Sequence, residues 1–150
     1  MTRRLAIFAM VVALGGCTTV TDVSNPFNSA AIWGADSNSE GDRLWFGIPD
    51  SDNIDLMLTC HRHTGRVEVY TAAGIERPTV IITFESGASK SHHFMKRLES
   101  DDGYGGFIGA DDAAFAAFAQ TGEIATSAAG KRFRFPPAKA MAAAFFKACR

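Results

Sequence analysis

Four histidines and three cysteines are the residues of this chain best suited to chemistry. His61 and His63 stand two apart in the stretch LTCHRHT, and His92 and His93 are adjacent in SHHFM. Residues two apart on a strand project from one face. His61 and His63 are therefore a candidate metal pair for zinc or copper, to be completed by a third group from another strand. His92 and His93, as strand neighbours, point to opposite faces. No acidic residue stands at close spacing to either pair, and solvated surface histidine is the plainer reading of both. A second cluster, Glu99-Ser100-Asp101-Asp102-Gly103-Tyr104-Gly105-Gly106, combines acids, a tyrosine and glycines. It reads as a flexible loop in which Asp101, Asp102 and Tyr104 are available for recognition, although the ligand order of an EF-hand is absent. A third, basic cluster of Lys131, Arg132 and Arg134 suits anionic headgroups, peptidoglycan carboxylates or an acidic partner. A nucleophile elbow, a zinc-protease helix and a phosphate loop are all absent. The sequence therefore predicts no catalytic residue, no cofactor and a non-enzymatic protein.

The elements that must position these residues follow from hydrophobic period. From Arg43 to Phe84 the period is two. Leu44, Phe46 and Ile48 alternate with Trp45 and Gly47. Ile54, Leu56, Leu58 and Cys60 share one face, opposite Asp55, Met57, Thr59, His61 and His63. Val67 and Val69, then Val80, Ile82 and Phe84, continue the pattern, with turns signalled at Pro49-Asp50, Thr64-Gly65 and Gly74–Pro78. Further short strands are expected over residues 91–98, 106–108, 124–127 and 132–135. Asp111-Asp112 before AAFAAFAQ, with Gly122 after it, predicts a short helix with an aspartate N-cap and a glycine stop. Pro136-Pro137 opens a last helix on which Met141, Phe145 and Cys149 recur at i, i+4 and i+8, placing Cys149 on the buried stripe.

The N-terminal segment MTRRLAIFAMVVALGGC has two arginines, an apolar run too short to span a bilayer stably, and then Leu14-Gly15-Gly16-Cys17. This order resembles the lipobox of bacterial lipoproteins. The resemblance implies cleavage before Cys17 and acylation of its thiol and new amino group, so that the membrane is engaged through an N-terminal lipid. Thr18 follows the cysteine where an aspartate commonly marks inner-membrane retention, so the resemblance favours the outer membrane, facing the periplasm. With Cys17 given to lipid, Cys60 and Cys149 remain as a pair, and in an oxidising compartment they are expected to form a disulfide.

Removing Arg3 and Arg4 with the leader leaves 13 basic against 16 acidic residues, a formal charge of −3. That balance carries no footprint for nucleic acid. The expected organisation is a signal peptide over residues 1–16, a lipidated flexible tether over 17–30, and one globular domain over 31–150. The domain is expected to be α+β: a small curved antiparallel sheet or partial sandwich of five to seven strands, with two short helices, the last C-terminal. The function expected is that of an envelope binding or accessory module with an envelope protein as partner. Two alternatives accompany it. One is a metal- or ligand-binding enzyme built on His61 and His63. The other is similar to the small lipoproteins that inhibit c-type lysozyme, which share a lipobox, a compact β-rich domain and a Ser-Gly-x-x-Tyr loop. Here Ser100-Asp101-Asp102-Gly103-Tyr104 is the nearest text, with the glycine displaced.

Overall fold

The computed structural model describes residues 20–23, 27–99 and 102–149. Cys17 and Asp101 lie outside them. Among the described residues ten strands and two helices follow one another: β1 (Thr21–Val23), β2 (Ile32–Ser37), β3 (Asp42–Gly47), β4 (Ile54–His61), β5 (Arg66–Ala72), β6 (Thr79–Ser86), β7 (Ser89–Arg97), β8 (Gly103–Gly109), α1 (Ala113–Thr121), β9 (Ala125–Ala128), β10 (Lys131–Arg134) and α2 (Lys139–Cys149). The strands form one curled mixed sheet in the order β1-β10-β9-β6-β7-β8-β5-β4-β3-β2. The alternation read from residue types is the alternation that folds. Leu44, Phe46, Leu56, Leu58, Cys60, Val67, Val69, Ile82 and Phe84 all face inward and are buried.

Both helices lie on that inner face, α1 against β6 and β7, α2 against β3 and β4. Asp112 is the N-cap of α1, and Gly122 ends it in the left-handed region at φ 77°, where a Cβ would be strained. The buried stripe of α2 is Ala142, Phe145, Phe146 and Cys149, so Met141, expected on it, instead lies toward solvent. Residues at i, i+4 and i+8 drift about 80° around a helix of 3.6 residues per turn, and burial centres on the later two. Cys149 meets Cys60 of β4 in a disulfide with Cα atoms 5.5 Å apart, joining the last helix to the middle of the sheet.

The architecture departs from expectation in three ways. The strands number ten rather than five to seven, and β1 and β2, beyond the segments expected as strands, form the two edges of the sheet. They form one curled sheet, the first of the two forms expected, but not a purely antiparallel one: β1 lies parallel on β10, with Thr21 opposite Lys131 and Val23 opposite Phe133. Part of the segment expected as a tether is therefore built into the domain. Phe27 joins it, its ring 4.9 Å from Phe135 and 5.0 Å from Phe46. Curling brings the two ends of the sheet together. Trp33 of β2 packs 6.0 Å from Phe135, which follows β10, and its indole N–H donates to the carbonyl of Pro136 at 2.7 Å. Aromatic rings thus close a seam that no ladder closes.

Candidate binding groove

The outer face of the sheet carries the residues that alternate with the core set. On β7 the inward Met95 puts Phe94 outside, and on β8 the inward Ile108 puts Phe107 outside. Phe94 is 66% exposed, Ile81 opposite it on β6 is 60% exposed, and Phe107 is 52% exposed. Large apolar side chains gathered this way on one surface mark an interaction site more often than isolated ones do. Between Phe94 and Phe107 runs an open groove of about 630 Å³, with Leu98, Tyr70 and Met57 along it and Gly105-Gly106 in its floor. Glycine keeps that floor low. Leu98 leans over the place a Cβ would take at Gly105, and the Tyr70 ring does the same at Gly103. A chain segment read as a flexible loop is instead a strand whose missing side chains are replaced by neighbours.

Polar groups rim the groove. The Arg66 guanidinium lies 4.2 Å from the centre of the Phe107 ring, and the His61 ring lies 5.6 Å from it. His61 Nε2 is 2.9 Å from Glu68 Oε2, while Lys96 and Glu40 complete the rim. Hydrogen bonding from Arg43 holds Asp36 below its ordinary range, hydrogen bonds from Ser37 and Arg62 do the same for Asp42, and burial raises Asp55.

The residues singled out in the sequence fare differently. His61 ends β4, but His63 lies in the turn after it at φ 62°, so the two do not share a strand face as a metal pair requires. Among the described residues no three His, Cys, Asp or Glu side chains gather as a metal site would need. Tyr104, expected in a recognition loop, is 0% exposed. Its hydroxyl donates toward the carbonyls of Ile75 and Arg77 and accepts from the Arg77 N–H, bracing the β5–β6 connection. A tyrosine so placed cannot enter an enzyme's cleft, and Asp102 pairs with Arg97. The basic cluster divides as well. Arg132 of β10 reaches Glu85 of β6 at 2.7 Å and Asp22 of β1 at 3.6 Å, while Lys131 and Arg134 are exposed.

One constellation of catalytic residue types does assemble: Ser91, His93 and Asp112. Its geometry is that of a helix cap. Ser91 Oγ donates to Asp112 Oδ1 at 2.7 Å, and His93 Nε2 lies 3.0 Å from Asp112 Oδ2. The backbone N–H groups of Ala114 and Phe115 bond the same carboxylate. The serine proton is therefore directed at the carboxylate and not at the imidazole, the reverse of what an activated nucleophile needs. Asp112→Ala is expected to cost about 1–2 kcal/mol through the lost cap, and Asp112→Asn much less, because asparagine caps equally well. Urea melts of the two variants check this; equal losses would show that the charge, not the cap, matters.

No family model, curated protein or solved structure matches this chain. Its function must be read from the groove. Phe94 and Phe107 went unremarked in the sequence, yet each stands out of phase with a buried neighbour, Met95 and Ile108, and that was the available signal.

Proposed function

We propose that this protein is a lipid-anchored, non-enzymatic binding module of the bacterial envelope, held through acylated Cys17 at the outer membrane and facing the periplasm. In this reading the outer-face groove receives a protein partner. The observation that carries the reading is the groove itself: Phe94, Phe107 and Leu98 expose apolar surface on the side of the sheet opposite the core, where the fold makes no use of it. Two further features support the setting. The Leu14–Cys17 segment resembles a lipobox, and the Cys60–Cys149 disulfide suits an oxidising compartment. The Ser91–His93–Asp112 set, engaged in capping, supports binding rather than turnover.

The test has two parts. Radiolabelled palmitate is expected to enter the wild-type protein and not Cys17→Ser. A photo-crosslinking residue at position 94 is expected to give one discrete protein adduct in intact envelopes, lost in the Cys17→Ser form. Unlabelled wild-type protein would remove the anchor. Absence of any adduct, or robust turnover of an envelope substrate by the anchorless protein, would remove the binding role.

A further inference from the structure

We infer that β2 is an open docking edge, which takes an extended polypeptide segment as a further strand beside α2. This goes beyond the outer-face groove and rests neither on it nor on acylation of Cys17. Strand β2 is the last in the sheet and pairs with β3 alone, from Ile32–Gly47 to Ser37–Asp42 without a bulge. Asn38 N–H donates to the Gly41 carbonyl in the turn that follows. On β2 the even-numbered residues therefore turn their N–H and C=O toward β3, and the odd-numbered residues turn theirs away. Trp33, the first of the outward set, lies buried at the seam. Ala35 and Ser37 are exposed, and among the described residues no ladder, turn or loop bond reaches their outward main-chain groups.

An exposed sheet edge pairs with other chains unless something prevents it: short length, a lysine, a proline, a bulge or a cover. The opposite edge, β1, is three residues long and carries an exposed Asp22. Strand β2 has six residues and no lysine, proline or bulge. Its one charge does not guard it either. Asp36 accepts hydrogen bonds from Arg43 and from the Trp45 indole, so its carboxylate is drawn back over β3 and neutralised there. The Trp45 ring lies where a side chain on Gly34 would stand, and Ser37 Oγ donates to Asp42. The side chains of the edge are thus tied to β3, and its main chain is left bare.

Helix α2 packs on β3 and β4 and stands off from β2. The space left is an open channel of about 400 Å³, with Ala35 and Ser37 on one side and the exposed Ala140, Met141 and Ala144 on the other. That combination selects an occupant. Donors and acceptors at strand spacing are matched by another strand, whose alternate side chains then meet the alanine wall of the helix. An acyl chain would meet the same wall but strip water from the Ala35 and Ser37 main chain without replacing its bonds, at a cost. A second copy joined through so short an edge falls well short of the roughly 20–30 residues a side that a stable dimer uses. The ligand class is therefore an extended segment with apolar residues at alternate positions.

The probe is a blocked heptapeptide alternating threonine with valine, together with the same peptide N-methylated throughout. Both are titrated into the purified full-length protein while amide hydrogen exchange is followed along β2. In the free protein the Ala35 and Ser37 amides are expected to exchange faster than those of Gly34 and Asp36, which β3 protects. Saturation with the unmodified peptide is expected to slow Ala35 and Ser37 about tenfold or more, and the methylated peptide to leave them unchanged. Ala35→Pro deletes an outward donor and no ladder bond, so it is expected to melt with the wild type and to bind about tenfold more weakly or worse. Ala144→Glu, on the exposed flank of α2, leaves the sheet untouched and is expected to weaken binding similarly. Protection of Ala35 and Ser37 in the free, dilute protein, equal binding of both peptides, indifference to both substitutions, or no saturable binding would each overturn the inference. So would protection that rises with protein concentration alone and tracks a dimer in sedimentation, which would make a second copy the occupant.

Discussion

Cys60→Ala/Cys149→Ala is expected to lose roughly 2–5 kcal/mol of stability and to unfold at a much lower urea concentration than the wild type. The bridge joins residues separated by 89 positions, from β4 in the middle of the sheet to the last turn of α2. In the chain-entropy account a loop of that length is worth about 4–5 kcal/mol through restriction of the unfolded chain. Both cysteines are buried, so the alanines also leave a small void in the core. A domain of this size has only about 5–15 kcal/mol in total, so a large share of it depends on one bond. Two controls separate bridge from side chain. The wild type in reductant should melt with the variant, and the slope of the transition should steepen in both, because an uncrosslinked chain exposes more surface on unfolding. Coincident melts of oxidised wild type and variant would show that packing of α2 alone holds the C-terminus. The physiological consequence concerns where the protein can fold: an oxidising compartment supplies the bond, and a reducing one withholds it.

The expectation of that bridge came from the cysteine count and an oxidising compartment, and residue faces agreed with it, which shows what kind of information a sequence of this type carries. Cys60 stood in phase with Leu56 and Leu58, and Cys149 fell on the apolar side of a helix opened by Pro136-Pro137, so both thiols had to meet the core. Local period also gave β3 to β6, and the Asp112 cap and Gly122 stop gave α1. Long-range pairing was not legible. Nothing in Thr21–Val23 distinguishes a tether from an edge strand, because a strand with one face exposed and three residues of ladder has almost no hydrophobic signature. The glycines of β8 misled for a related reason. Gly103 and Gly105 suggest a loop until Tyr70 and Leu98, from elsewhere in the chain, are seen to cover them. Tyr104 then reads as available although it is the side chain on which the β5–β6 connection is braced. The groove was hidden by the same limit. Its lining comes from β4, β5, β7 and β8, which only long-range pairing brings side by side.

Phe118→Ala is expected to cost about 3–5 kcal/mol, with Phe118→Leu costing less than about 2 kcal/mol. Phe118 is fully buried on α1, its ring 5.7 Å from Trp33 of β2 and 6.2 Å from Phe146 of α2. Trp33 in turn packs 5.4 Å from Phe46 of β3. One ring thus contacts both the edge strand that closes the seam and the helix that the disulfide retains, and an alanine there leaves a cavity walled by other rigid rings. The measurement is urea unfolding of the two variants beside Phe94→Ala. All three remove part of a phenylalanine, but Phe94 projects from the opposite face into solvent, and its loss is expected to change stability by no more than about 0.5 kcal/mol. The contrast bears on function. If Phe94→Ala were as costly as Phe118→Ala, the outer aromatics would be part of what holds the sheet together, and the groove would lose its claim to be free for a partner. If Phe118 is needed to fold and Phe94 is not, the fold leaves Phe94 and Phe107 unexplained by stability, and binding is what remains to account for them.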